Sequence, residues 1–100
     1  MQNNEPGFVI TMGKGFHMTF QNGYTVSVQW GYGNYCSAKK HMDMSTPIRP
    51  YEIAEESPDA EVAVWYKDGD LIQMPGWNDS VKGRCTPEEV LSLLNWAAKE

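Results

Sequence analysis

The sequence predicts an α+β domain, an antiparallel β-sheet of about five strands (a meander plus a hairpin) packed against one C-terminal α-helix. Three observations predict it. Apolar and polar residues alternate between glycine turns from Phe8 to Trp30, a second strand-and-turn pattern runs from Glu61 to Met74, and a capped amphipathic helix begins at Thr86. One hundred residues make a single domain, 1–100.

In the first strand Phe8, Ile10 and Met12 alternate with Val9 and Thr11 before Gly13-Lys14-Gly15. Phe16, Met18 and Phe20 then alternate with His17 and Thr19 before Gln21-Asn22-Gly23, and Tyr24, Val26, Val28 and Trp30 alternate with Thr25, Ser27 and Gln29. Period-two alternation between turns marks half-buried antiparallel strands. Loop length fixes the register. A two-residue Asn22-Gly23 loop would scatter the large side chains over both faces. A loop of residues 21 to 23, with Gly23 left-handed in a bulge, pairs Phe20 with Tyr24, Met18 with Val26 and Phe16 with Val28 on one face. The same arithmetic at Gly13-Lys14-Gly15 pairs Met12 with Phe16 and Ile10 with Met18. The opposite face, with His17, Thr19, Gln21, Thr25, Ser27 and Gln29, is polar enough to meet water.

Periodicity stops at Gly31. Residues 38–60, with Pro47, Pro50 and Pro58 and several acids, read as a long surface connection with a helical turn around Tyr51 to Glu56. Glu61-Val62-Ala63-Val64-Trp65-Tyr66 is a strand, Lys67-Asp68-Gly69-Asp70 a turn, and Leu71-Ile72-Gln73-Met74 the returning strand. Trp65 and Tyr66 offer an apolar residue to either face, so that loop length stays open. Pro75 to Asp79 form a further loop. Thr86 is a good N-cap, Pro87 suits the first helical position, and Glu89 three residues after Thr86 completes a capping box. Val90, Leu91, Leu93, Leu94, Ala97 and Ala98 give an apolar stripe, with Trp96 off it. A helix of about twelve residues is marginal alone, so it packs on the sheet face carrying Phe16, Met18 and Val26.

Thirteen acids against eight bases give a net charge of −5, and the eight bases are scattered. That excludes a nucleic-acid binder, which needs clustered Lys and Arg. No apolar run is long enough for a membrane span. Met1 to Pro6 carry no secretory leader pattern, so the expected location is the cytoplasm. Cys36 and Cys85 form no C-x-x-C pair and read as reduced thiols, a disulfide between them being the alternative. No cofactor is implied, and His41-Met42-Asp43-Met44 lacks metal-ligand spacing. A Cys36 nucleophile assisted by His17 or His41 has no local signature to support it, so the chain reads as a non-enzyme.

Two surfaces are candidates for binding. Trp30, Tyr32, Asn34, Tyr35, Ser37 and Lys39 form a glycine-punctuated loop whose aromatics, amide, hydroxyl and cation suit a nucleotide-like small molecule. The same aromatics serve equally as caps on the core. Trp77 and the acids Glu55 and Glu56 are the candidate contacts to a protein partner. An edge strand of a small sheet also invites a homodimer.

The block Phe20-Gln21-Asn22-Gly23-Tyr24-Thr25-Val26-Ser27-Val28-Gln29-Trp30-Gly31, running on through Gly33-Asn34-Tyr35-Cys36, resembles a family of short uncharacterised proteins of tailed phages and prophages. The strand at Glu61–Trp65, the Lys-Asp-Gly turn and the helix start at Thr86–Leu91 are similar too. The resemblance covers about half of the chain. It implies a host bacterial cytoplasm and a small viral accessory protein that antagonises host defence. It carries over no catalytic residue. The two expectations are therefore a protein that sequesters a nucleotide-like molecule and, alternatively, a protein–protein inhibitor.

Overall fold

The computed structural model describes residues 5–11, 14–31, 34, 36, 37 and 56–100. Five antiparallel strands lie in sequence order in one sheet: β1 (Gly7–Ile10), β2 (Gly15–Thr19), β3 (Thr25–Gln29), β4 (Ala60–Trp65) and β5 (Val81–Cys85). Helix α1 (Pro87–Lys99) closes one face. The fold class is the expected one: a five-stranded antiparallel sheet with a single C-terminal helix.

The β2–β3 hairpin follows the odd-loop register. Phe16 pairs with Val28, Met18 with Val26 and Thr19 with Thr25. Phe20 N–H donates to Tyr24 O (2.9 Å) and Gly23 N–H to Phe20 O (3.0 Å), and Gly23 sits at φ +98°, where a side chain is costly. Val26 and Val28 meet Val64 and Val62 of β4, and with Leu93 and Ala97 of α1 they make the core. Thr86 accepts from Glu89 N–H (3.2 Å) while the Glu89 carboxylate accepts from Thr86 N–H (2.9 Å), which is the expected capping box.

Three expectations need correction. Ile10 pairs with Phe16 and Phe8 with Met18, not Ile10 with Met18. Thr11 and Gly15 close the turn, with Thr11 N–H on Gly15 O at 3.0 Å, one residue earlier than the glycines implied. Gly15 belongs to β2, paired with Gln29, and only glycine fits there because an added Cβ would sit 1.9 Å from Val28 O. The fourth-to-fifth strand hairpin is split. Leu71 makes only an isolated bridge to Trp65, and Ile72 N–H donates to Val64 O (2.8 Å). Pro75 then turns the chain away, and the rest of the β4 edge is taken by Val81–Cys85. That strand went unread because VKGRC has little alternation, and its ladder shifts register where Gly83 and Arg84 (φ +52°) lie opposite Glu61.

The middle of the face away from the helix is not open to water. Thr19, Thr25 and Ser27 are buried, as are Ala63 and Trp65. The Trp65 indole reaches across β3 to meet His17 edge-to-face at 5.0 Å, and Thr19 and Thr25 share a hydroxyl hydrogen bond of 2.8 Å. Polar strand residues are thus covered once they satisfy each other. Helix α1 packs on the expected face, that of Phe16 and Val26, with its backbone over β3, β4 and β5. Leu91, on the expected stripe, is 57% exposed, while Trp96 turns inward onto Tyr24 (5.3 Å, edge-on). The helical turn expected near Tyr51 lies outside the described residues.

Candidate binding cleft

The loop after β3 behaves as a structural tie. Asn34 Oδ1 accepts from Gly31 N–H (3.0 Å), Asn34 N–H donates to Gly31 O (3.0 Å), and the side-chain amide donates to Glu61 Oε1 on β4 (2.8 Å). Ser37 donates its N–H and hydroxyl to the Asp59 carboxylate at 2.6 and 2.5 Å. The Ser37 hydroxyl is the main reason the Asp59 pKa falls below its ordinary value. Trp30 is half-buried and meets Phe16 at 6.4 Å. The donors read as ligand contacts therefore join the end of β3 to the start of β4. Tyr32, Tyr35 and Lys39 lie outside the described residues, as does Glu55, while Glu56 is exposed.

Both thiols are free and buried. Cys36 Sγ donates to Gly31 O (3.6 Å). Burial pushes the Cys85 thiol above its ordinary pKa, with nearby Lys82 acting in the opposite direction. A thiol held protonated is a poor nucleophile. Among the described residues, no group of three or more His, Cys, Asp and Glu side chains is placed to hold a metal ion.

A concavity lies elsewhere, between the 74–77 turn and α1. The turn is closed by Trp77 N–H on Met74 O (3.0 Å) and by the Gln73 side-chain amide on Trp77 O (2.8 Å). Trp77, read as an exposed anchor, is half-buried and forms one wall with Met74 and Pro75. Trp96 and Leu93 form the helix wall, with Val62 also lining the cleft. Its volume is about 280 Å³. At its lip Lys82 Nζ meets Glu89 Oε2 at 3.1 Å and Cys85 Sγ at 3.8 Å. The Glu89 hydrogen bond raises the Lys82 pKa; Thr86 N–H and then Lys82 lower that of Glu89.

Sequence reasoning placed Trp77 but not its companions. Glu89, Ser92, Leu93 and Trp96 share one helix face at spacings of three and four, and that second stripe was legible. Lys82 was not, because β5 was unread. The cleft can hold a flat apolar ring against two indoles and offer one cation to an anionic tail.

No family model, no curated protein and no solved structure matches this chain. Among the described residues no helix is long and apolar enough to cross a membrane.

Proposed function

We propose that this chain is a non-enzymatic binding protein, of the small phage or prophage accessory kind its sequence resembles, that sequesters a nucleotide-like small molecule in the Trp77–Trp96 cleft. One observation carries the reading: two tryptophans and a lysine converge on a concavity of about 280 Å³. Ligand pockets run from roughly 300 to 1,000 Å³, so this one suits a single heteroaromatic ring with its phosphate reaching outward. The Lys82 side chain is 34% exposed and Glu89 49%, so a ligand anion can take the place of Glu89 on the lysine. Such a protein would blunt a host defence that signals through the captured molecule.

The test is a titration with cyclic and linear mononucleotides followed by tryptophan fluorescence and melting temperature. Quenching and a raised Tm are expected, both weakened by Trp77→Ala and by Lys82→Ala and left intact by Ser37→Ala. A ligand at a hundred times its Kd stabilises by about 2.7 kcal/mol, a readily measured shift. Absence of any shift at millimolar nucleotide, or undiminished binding by Trp77→Ala, overturns the proposal.

The protein–protein alternative is favoured by a different observation. Phe8, Val9 and Ile10 are exposed on the outermost strand, and apolar exposure of that kind marks contact surfaces.

A further inference from the structure

We propose that β1 is the seam of a homodimer, in which β1 of one copy pairs antiparallel with β1 of a second and joins the two sheets into one. The inference rests on which groups of β1 point outward. Thr11 N–H donates to Gly15 O (3.0 Å), and Val9 and Gly7 stand opposite His17 and Thr19 in the same ladder. Main-chain groups alternate in direction along a strand, so those of Gly7, Val9 and Thr11 serve β2. Those of Phe8 and Ile10 turn outward from the sheet. The same two residues carry highly exposed apolar side chains, 73% and 79%. Donors, acceptors and apolar surface are offered together on one edge.

Within this strand one self-register uses all of them. A twofold axis at Val9 sets Phe8 of one copy opposite Ile10 of the other, and the pair exchanges both main-chain bonds. Moving the axis to Phe8 would place Ile10 opposite Pro6, which has no N–H to give. The twofold of an antiparallel pair stands perpendicular to the sheet, so both helix-side faces end on the same side. Phe8 neighbours Met18 and Ile10 neighbours Phe16 across the β1–β2 ladder. Phe16 in turn lines an apolar groove with Leu91 and Leu94 of α1. The dimer therefore continues this strip from one helix to the other as an unbroken apolar floor.

Charge and area agree with a second copy as the occupant. No charged side chain lies between Pro6 and Thr11, so two chains of net charge −5 meet along a neutral strip. A standard interface takes about 800 Å² from each partner. The three β1 side chains supply roughly a third to a half of that, the remainder coming from the Phe16–Leu91 strip. The expected association is modest, with a Kd of about 1–100 µM.

Sedimentation velocity on the full chain from about 1 to about 500 µM tests it, with circular dichroism to confirm folding of each variant. Wild type should pass from monomer to dimer across that range. Ile10→Pro removes an outward donor while sparing every β1–β2 bond, and it should weaken dimerisation at least about tenfold. Phe8→Lys provides the same readout should the proline variant not fold, since the Phe8 side chain is largely outside the core. Val9→Cys places two thiols at a non-hydrogen-bonded pair, where the Cα separation of about 4.5 Å suits a disulfide. It should cross-link under mild oxidation, because the native thiols are buried. A wild type that stays monomeric throughout, or a dimer unchanged by both Ile10→Pro and Phe8→Lys, overturns the inference.

Discussion

Asn22 ties the tip of the β2–β3 hairpin to the end of the helix, and its loss should be costly for a half-buried turn residue. Its side-chain amide donates to Ala97 O (2.7 Å) and Glu100 O (3.2 Å), while its Oδ1 accepts from Tyr24 N–H (3.1 Å). The last carbonyls of a helix have no partner within it, so this amide acts as a C-terminal cap supplied from 75 residues away. A net hydrogen bond contributes about 0.5–1.5 kcal/mol. Three of them, partly exposed, make Asn22→Ala worth about 2 kcal/mol. In a domain of this size that lowers Tm by about 8–16 °C. Asn22→Asp separates the contributions. Its carboxylate can still accept from Tyr24 but sets a negative charge against the negative end of the helix dipole, a further cost of about 0.3–1 kcal/mol. Urea unfolding followed by tryptophan fluorescence and circular dichroism measures both variants. At neutral pH the expected order of stability is wild type, then Ala, then Asp, and acidification should narrow the gap between the last two. Asn22→Ala within 0.5 kcal/mol of wild type (about the smallest net bond), or Asn22→Asp as stable as Asn22, would refute the cap.

Gly15→Ala should be more damaging still. Its Cβ would lie 1.9 Å from the Val28 carbonyl oxygen at φ +150°, so β2 and β3 must part, at about 3 kcal/mol or more by denaturant midpoint; a loss below about 0.5 kcal/mol, within ordinary surface scatter, contradicts the register. His17 gives a pH signature. Burial lowers its pKa below the ordinary 6.5, so between the two values the unfolded chain holds more protons and stability falls as pH drops through 6.5. The urea midpoint should decline from pH 7.5 to pH 5.5, and His17→Gln should flatten that decline; an equal slope in the variant is the contrary result. Glu89 acts at lower pH. Its pKa is held below 4.5 by Thr86 N–H and Lys82, so its contribution is present above pH 4.5 and lost below it. Melting curves of Glu89→Gln should therefore lose part of the acid-side drop, and an unchanged drop would count against the capping box as an electrostatic cap.

The fold was legible where local chemistry and burial agree. The odd loop at residues 21–23 could be read because only that register gathers Phe16, Met18, Val26 and Val28 on one side, and the structure has it. The helix start could be read because Thr86 and Glu89 each satisfy an N–H that the helix leaves free, while Pro87 has no N–H to satisfy. Strand β5 could not be. Val81-Lys82-Gly83-Arg84-Cys85 presents one glycine and two cations where alternation should be, and its pairing is decided by the free edge of β4 that Leu71 and Ile72 leave over. Pairing of that kind is a property of the assembled sheet.

The site was less legible for a related reason. Asn34 and Ser37 have the side chains of ligand donors, and composition alone cannot say whether acceptors stand nearby. Glu61 and Asp59 stand there, 27 and 22 residues on, and they engage those groups. Conversely, Phe8 and Ile10 alternate as a buried face should, and they do share the face of Phe16 and Met18. Alternation assigns a side of the sheet; it does not say how far a helix extends over it. Thirteen residues of α1 lie over β3, β4 and β5, which leaves β1 with a core-like sequence and no core of its own. A strand in that position stays apolar at a standing risk of aggregation unless something covers it. The neutral, self-complementary edge from Pro6 to Thr11 is what a second copy of the same strand would require.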